Sequence, residues 1–320
     1  MNNYIENLIT IISDCSMDNT YKMSWCRALV ELSYNNPNQK KIHFDEISAL
    51  MFKYYWDQTI FFNLEQGPNY FKRPVINQIV KDEISTFQKK YGNIPKKYIN
   101  SNYNISKTIL NKITTKLTHD VSYRFLYVNK KIYNIYDYKK GDKYLILKRP
   151  HLIKENHKVL FSLINYKWTQ QLENINPGTP KIAQKVRGID RENEPKRKSL
   201  KKFKFFLDLE NPEHICFITG EKILNKELSI DHVIPWSYMY SDDLWNLVYV
   251  KRSENSSLSN KIKNEKIIEK LINRNQKLVR KMETLNISNT QTKEFELLKL
   301  ANENNGNKVK QFWIGSKAQN

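Results

Sequence analysis

Four polar residues in the last third of the chain stand at intervals that could do chemistry: the dipeptide Asp231-His232, then Asn246, then Asn255. A carboxylate and a carboxamide offer oxygen ligands. These suit a hard cation such as Mg²⁺, with Mn²⁺ as a substitute, which keeps several waters and shares the oxygens of a phosphate group. The neighbouring residue is a histidine, the side chain type whose uncharged ring can take a proton from water near neutral pH. One cation and one base are enough to hydrolyse a phosphodiester. Taken singly, each residue also has an ordinary structural use. An Asp-His pair is commonly a surface feature, an asparagine before a strand a turn residue, and an asparagine in a first helical turn a cap.

The frame around the four residues favours chemistry. Leu228 and Ile230 precede the Asp-His pair and Val233 and Ile234 follow it, while Leu247, Val248 and Val250 follow Asn246. That pattern predicts a strand, a long loop and a second strand. The polar run from Lys251 to Asn264, with Ser253 as a candidate cap, predicts a helix carrying Asn255 in its first turn.

In this order and frame the residues resemble the HNH endonucleases of the ββα-metal fold, over about residues 214–264. The look is that of the zinc-free HNH domains of RNA-guided CRISPR nucleases. The shared features are the Cys-x-x-x-Gly opening at Cys216 to Gly220, the Asp-His-x-x-Pro core at Asp231 to Pro235, and the step from Asn246 to Asn255. No RuvC-like or guide-binding segment accompanies them. The resemblance implies that Asp231 and Asn255 ligate the metal, that His232 is the general base, and that Asn246 is the middle motif residue, bracing the loop between the strands. Many relatives close this unit with two cysteine pairs around zinc. Here Thr219, Lys251 and Glu254 stand where three of those cysteines would fall, which predicts no structural zinc and stabilisation by flanking helices instead.

The 53 Lys and Arg against 33 Asp and Glu give a net charge of +20, which favours a polyanionic partner, here DNA. Lysine bias from an AT-rich genome is a second source of that excess. From Lys181 to Lys204 ten basic residues face three acidic ones, within a connector over 176–204 that begins at Asn176-Pro177-Gly178-Thr179-Pro180. A solvated linker and a clamp on the DNA backbone are both open readings of it, and the clamp would use Lys196, Arg197 and Lys198. Lys251, Arg252 and Lys261 are further candidates for phosphate contacts.

Residues 1–175 are expected to form a mostly helical recognition or partner domain. Helical spacing links Ile5, Leu8, Ile9 and Ile12, and a further helix is expected over Phe44–Phe62. Trp25, Trp56, Phe61 and Phe62 suit a buried hub more than a base-stacking platform. Short strands are expected between Tyr123 and Leu147, then a helix over His151–Ile175. Beyond Lys261, the spacing predicts an amphipathic helix and one further helix around Phe295–Leu300. The fold class is therefore mainly α with small β elements: a helical N-terminal domain with a β-hairpin, a basic connector, and a ββα unit (205–265) packed by C-terminal helices (266–320).

No stretch approaches a membrane span, no secretory leader is expected, and Cys15, Cys26 and Cys216 form no disulfide framework, which fits a reducing cytoplasm. The expected activity is metal-dependent DNA hydrolysis in restriction or antiphage defence, with room for a partner protein of the defence system. The alternative is an inactive HNH-fold subunit for nucleic-acid binding or assembly.

Overall fold

The computed structural model describes residues 3–69, 71–91, 96–187, 199–253, 264–285 and 292–317. The chain divides into two compact units, Met1–Pro177 with Ile182–Glu194, and Gly178–Lys181 with Pro195–Asn320. Among the described residues the structure is mainly α-helical, with three small sheets of two or three strands.

In the first unit Asn3–Asp14 (α1) buries one face, while Tyr21–Asn35 (α2) is buried nearly all round. A helix buried on nearly every side belongs inside a domain. Accordingly α2 lies among Phe44–Phe62 (α3), Pro150–Glu155 (α7) and His157–Ile175 (α8). Arg27 on α2 is buried as well. Its guanidinium donates to Asn165 Oδ1 at 2.8 Å and lies 5.2 Å from the ring centres of both Tyr54 and Phe161. Trp25 and Trp56 are fully buried and Phe62 nearly so, which makes them core rather than a stacking platform. The side chain of Phe61 lies outside the described residues.

Between the helices run four short strands: Tyr127–Val128 (β2), Lys131–Ile132 (β3), Tyr136–Asp137 (β4) and Tyr144–Leu147 (β5). Together with Lys41–His43 (β1), β4 and β5 form an antiparallel sheet in the order β1-β5-β4, and β2 pairs with β3 as a hairpin. The hairpin turns through Asn129 and Lys130, with φ of 48° and 62°. Two positive-φ residues match the right-handed twist of the strands. Asparagine tolerates that region, whereas a lysine there costs about 1 kcal/mol.

Three expectations are corrected. The helix expected over His151–Ile175 is interrupted at Asn156, which separates α7 from α8. Ile182–Arg187, expected within the connector, is a helix (α9), because Ile182 and Val186 lie one helical turn apart and both find burial. Lys185, counted among the basic connector residues, is buried with them; burial lowers its ammonium to about 7. It is not a surface cation for a DNA backbone. The single helix expected around Phe295–Leu300 becomes Thr292–Lys317, two helical stretches across a break at Glu303–Gly306. Asn304, Asn305 and Gly306 all take positive φ there, and the second stretch buries Val309 and Trp313 in the core of the second unit.

The second unit surrounds an antiparallel ribbon of Leu228–His232 (β6) and Leu247–Lys251 (β7). Glu265–Thr284, the amphipathic helix expected from the sequence, buries Ile268, Leu271, Ile272, Leu278 and Met282 in the same core. Gly306 lies against this helix. With φ of +73°, an added Cβ would stand 2.7–2.9 Å from Ile272 side-chain atoms. Gly306→Ala is expected to destabilise the second unit by about 1–3 kcal/mol through strain and crowding, read as a lower urea midpoint. An unchanged midpoint would contradict this packing.

Candidate active site

Five residues of β6 pair with five of β7, including Asp231 with Val248 and His232 with Leu247. The strand ends at His232, where the loop to β7 begins. Asn246 fixes this corner: its Oδ1 accepts from Ile234 N at 2.8 Å, its Nδ2 donates to Ile234 O at 2.8 Å, and its own carbonyl accepts from Val233 N at 2.9 Å. Asn246 is buried, so both ends of its carboxamide serve the backbone just beyond the Asp-His pair.

The loop itself returns an acid to the histidine. Pro235 starts a short helix, Trp236–Met239, and Tyr240 ends it in the left-handed region with φ of 53°. A bulky residue there is uncommon. Asp242 follows, and its Oδ1 lies 3.0 Å from His232 Nε2; the two side chains are 18% and 8% exposed. Asp243 instead accepts from Ser241 Oγ at 2.6 Å. A neutral imidazole that donates Nε2–H to a carboxylate keeps its Nδ1 lone pair as the proton acceptor. Asp242 is one residue that sequence reasoning missed. The acidic pair Asp242-Asp243 in the loop was a signal, but spacing alone does not say which of the two faces the ring.

Two polar residues of Glu265–Thr284 hold the other side of the corner. Arg274 donates to the carbonyls of Leu247 and Leu244, and Asn275 Nδ2 to Trp245 O at 2.9 Å. Burial pulls the Arg274 guanidinium down to about 10, partly opposed by Glu210. Both were missed too. Their signal was polar character at positions 274 and 275, among residues whose spacing marks a buried face.

At the start of the unit, Cys216 to Gly220 forms a tight turn closed by Gly220 N donating to Cys216 O at 2.8 Å, with Gly220 at φ +77°. Phe217 N donates to Tyr249 O at 2.9 Å, which ties the turn to β7. Burial alone would raise the Cys216 thiol. Hydrogen bonds from the Thr219 side chain and from backbone groups of Thr219, Lys251 and Ile218 outweigh it and hold the thiol below its usual value. Thr219 and Lys251 are two of the positions where zinc-binding relatives are expected to carry cysteine.

Of the remaining candidates, Asp231 is half-buried on β6 and Arg252 is exposed just beyond β7. The Lys251 ammonium is ion-paired with Glu221, whose hydrogen bond raises its pKa. Asn255, Lys261, Lys196, Arg197 and Lys198 lie outside the described residues. Among the described residues, no three His, Cys, Asp or Glu side chains gather to hold a metal ion.

Residues 216–266 match the HNH endonuclease family. No curated protein and no solved structure matches the chain. The HNH segment begins at the Cys216 turn and spans β6, the Asp242 loop and β7, so the chain carries a domain of the nuclease and hydrolase type. No described helix is long and apolar enough to cross a membrane.

If Asn246 holds the corner, Asn246→Ala strands both backbone groups of Ile234. The loss is expected to reach about 2–4 kcal/mol in chemical denaturation. A loss below about 0.5 kcal/mol, the size of an ordinary surface change, would show that the corner does not depend on it.

Proposed function

We propose that the HNH segment is a metal-dependent DNA endonuclease that hydrolyses phosphodiester bonds with one cation and one base, in the service of restriction or antiphage defence. The observation that carries this reading is the His232–Asp242 pair at 3.0 Å, next to Asp231 and inside the family match. His232 Nδ1 takes the proton of the attacking water. Asp242 holds the ring by Nε2 and stabilises the imidazolium that forms, as an acid behind a catalytic histidine does elsewhere. Asp231 and Asn255 would hold Mg²⁺, or Mn²⁺ in its place, which when bound supplies positive charge to the phosphate and the leaving oxygen.

Asn246 contributes by position: it sets the loop that starts at His232 and touches no substrate. Arg252, Lys261, Lys196, Arg197 and Lys198 serve as phosphate contacts, with Lys251 joining them only when it leaves Glu221. Such contacts place the backbone and carry no sequence information. The defence role is supported by the large helical first unit, which leaves room for recognition of a target or a partner protein.

The test is nicking of supercoiled plasmid by wild type, His232→Ala and Asp242→Asn in Mg²⁺, Mn²⁺ or EDTA. Wild type should cut, EDTA should abolish cutting, and His232→Ala should lower the rate by about 10²–10⁴-fold. Asp242→Asn should cost about 10–100-fold with unchanged DNA affinity. Cutting by His232→Ala at the wild-type rate would sink the mechanism. DNA binding with no metal-dependent cutting by wild type would favour an inactive binding or assembly subunit.

A further inference from the structure

The β2–β3 hairpin of the first unit presents a combination that the fold does not need. Tyr127 and Ile132 are directly opposed across the two strands and are 53% and 71% exposed. Cross-strand partners share one face of a ribbon, so an aromatic ring and an aliphatic side chain lie together in solvent. The opposite face is anchored, with Val128 buried. At the tip, Lys130 occupies a left-handed turn position; Lys131 follows it, paired with Val128 on the other face and with its ammonium 5.0 Å from the Tyr133 ring centre, and both lysines are exposed. Exposed Tyr123 precedes the hairpin, with the Lys140 ammonium 5.6 Å from its ring centre. From Tyr123 to Tyr136 the chain holds no acidic residue.

We infer that this hairpin is a binding surface for single-stranded nucleic acid, in which the lysines meet phosphates and an unpaired base lies against Tyr127 and Ile132. Lysine at the tip supplies a charge complementary to the backbone, and such charge alone would bind any polyanion. The exposed ring beside it distinguishes the surface, because stacking requires a base face that a closed duplex hides. The two-residue turn and buried Val128 hold the Tyr127–Ile132 face toward solvent. An acidic protein would be met by the lysines, yet the solvent-exposed ring at their side fits a planar base.

The experiment is fluorescence anisotropy of the full chain in EDTA, with a labelled short oligothymidylate and a duplex of equal length, across a salt series. Wild type should bind the single strand. Lys130→Asn with Lys131→Gln should weaken binding and make the salt slope shallower by about 1.4, since each lost single-strand phosphate contact removes about 0.7. Tyr127→Ser should weaken binding about tenfold with the slope unchanged. All three positions are exposed, and Lys130→Asn keeps a residue that tolerates the turn, so the variants should retain the wild-type circular dichroism.

Equal affinity and slope for wild type and variants would overturn the inference. So would loss of affinity for the duplex alone, or binding by the same residues to phosphatidylserine vesicles and to neither oligonucleotide. Binding in EDTA is read without turnover. A wild type that fails to nick plasmid yet shows these losses leaves the inference standing, and a nicking wild type whose variants bind normally overturns it alone.

Discussion

The β6–β7 ribbon has only five residues in each strand, and a two-stranded ribbon of that size does not hold its shape in water unaided. Its catalytic potential depends on the corner at His232, where regular pairing stops. Three sets of hydrogen bonds stabilise that corner. Asn246 satisfies both backbone groups of Ile234, Arg274 and Asn275 satisfy the carbonyls of Leu244, Trp245 and Leu247, and the Cys216 turn bonds to Tyr249 on β7. Each satisfies a backbone group that would cost about 1–3 kcal/mol if buried without a partner. The apolar core from the C-terminal helices keeps water away from these bonds and so keeps them strong.

The Cys216 turn is held by hydrogen bonds, where a metal knuckle would hold it by ligation. In a zinc site four thiolate or imidazole ligands fix two turns at once. Here one thiol remains, and Thr219 and the backbone of Lys251 bond to it. The Lys251–Glu221 ion pair spans the same turn on the solvent side, where it is too exposed to contribute much to stability. Thiol bonds of this kind are weak, so the burden passes to the helix Glu265–Thr284. Its buried Arg274 carries the desolvation of a full charge in order to reach two carbonyls.

Charge is distributed unevenly between use and concealment. The chain's net +20 suggests an unbroken cationic surface, yet Lys185 is buried, Arg27 lies between aromatic rings and Arg274 is inside the core. Lys130 stands in solvent on a hairpin turn that tolerates it at a cost, and Lys131 beside it is exposed with its ammonium 5.0 Å from the Tyr133 ring centre. The contrast separates cations buried in the fold from cations left in solvent.

The sequence by itself determined much of the architecture. Apolar spacing marks α3 at Phe44–Phe62, β5 at Tyr144–Leu147, and the strands on either side of the Asp242 loop, because burial on one face imposes its period on the chain. It also placed Asp231, His232 and Asn246 in one local unit, since all three lie within a strand-loop-strand segment too short to separate them. Tertiary structure decided the rest. Breaks at Asn156 and at Asn304-Asn305-Gly306 depend on single backbone conformations that leave little trace in hydrophobic pattern. Helix α9 forms where charge suggested a linker, because burial of Ile182 and Val186 depends on neighbours far away in sequence. The choice of Asp242 over Asp243 as the partner of His232 is made by the path of the loop after Tyr240, and the bonds of Arg274 and Asn275 to the corner by how a distant helix packs. Hydrogen-bond partners are set by distance and angle, and a linear spacing carries neither.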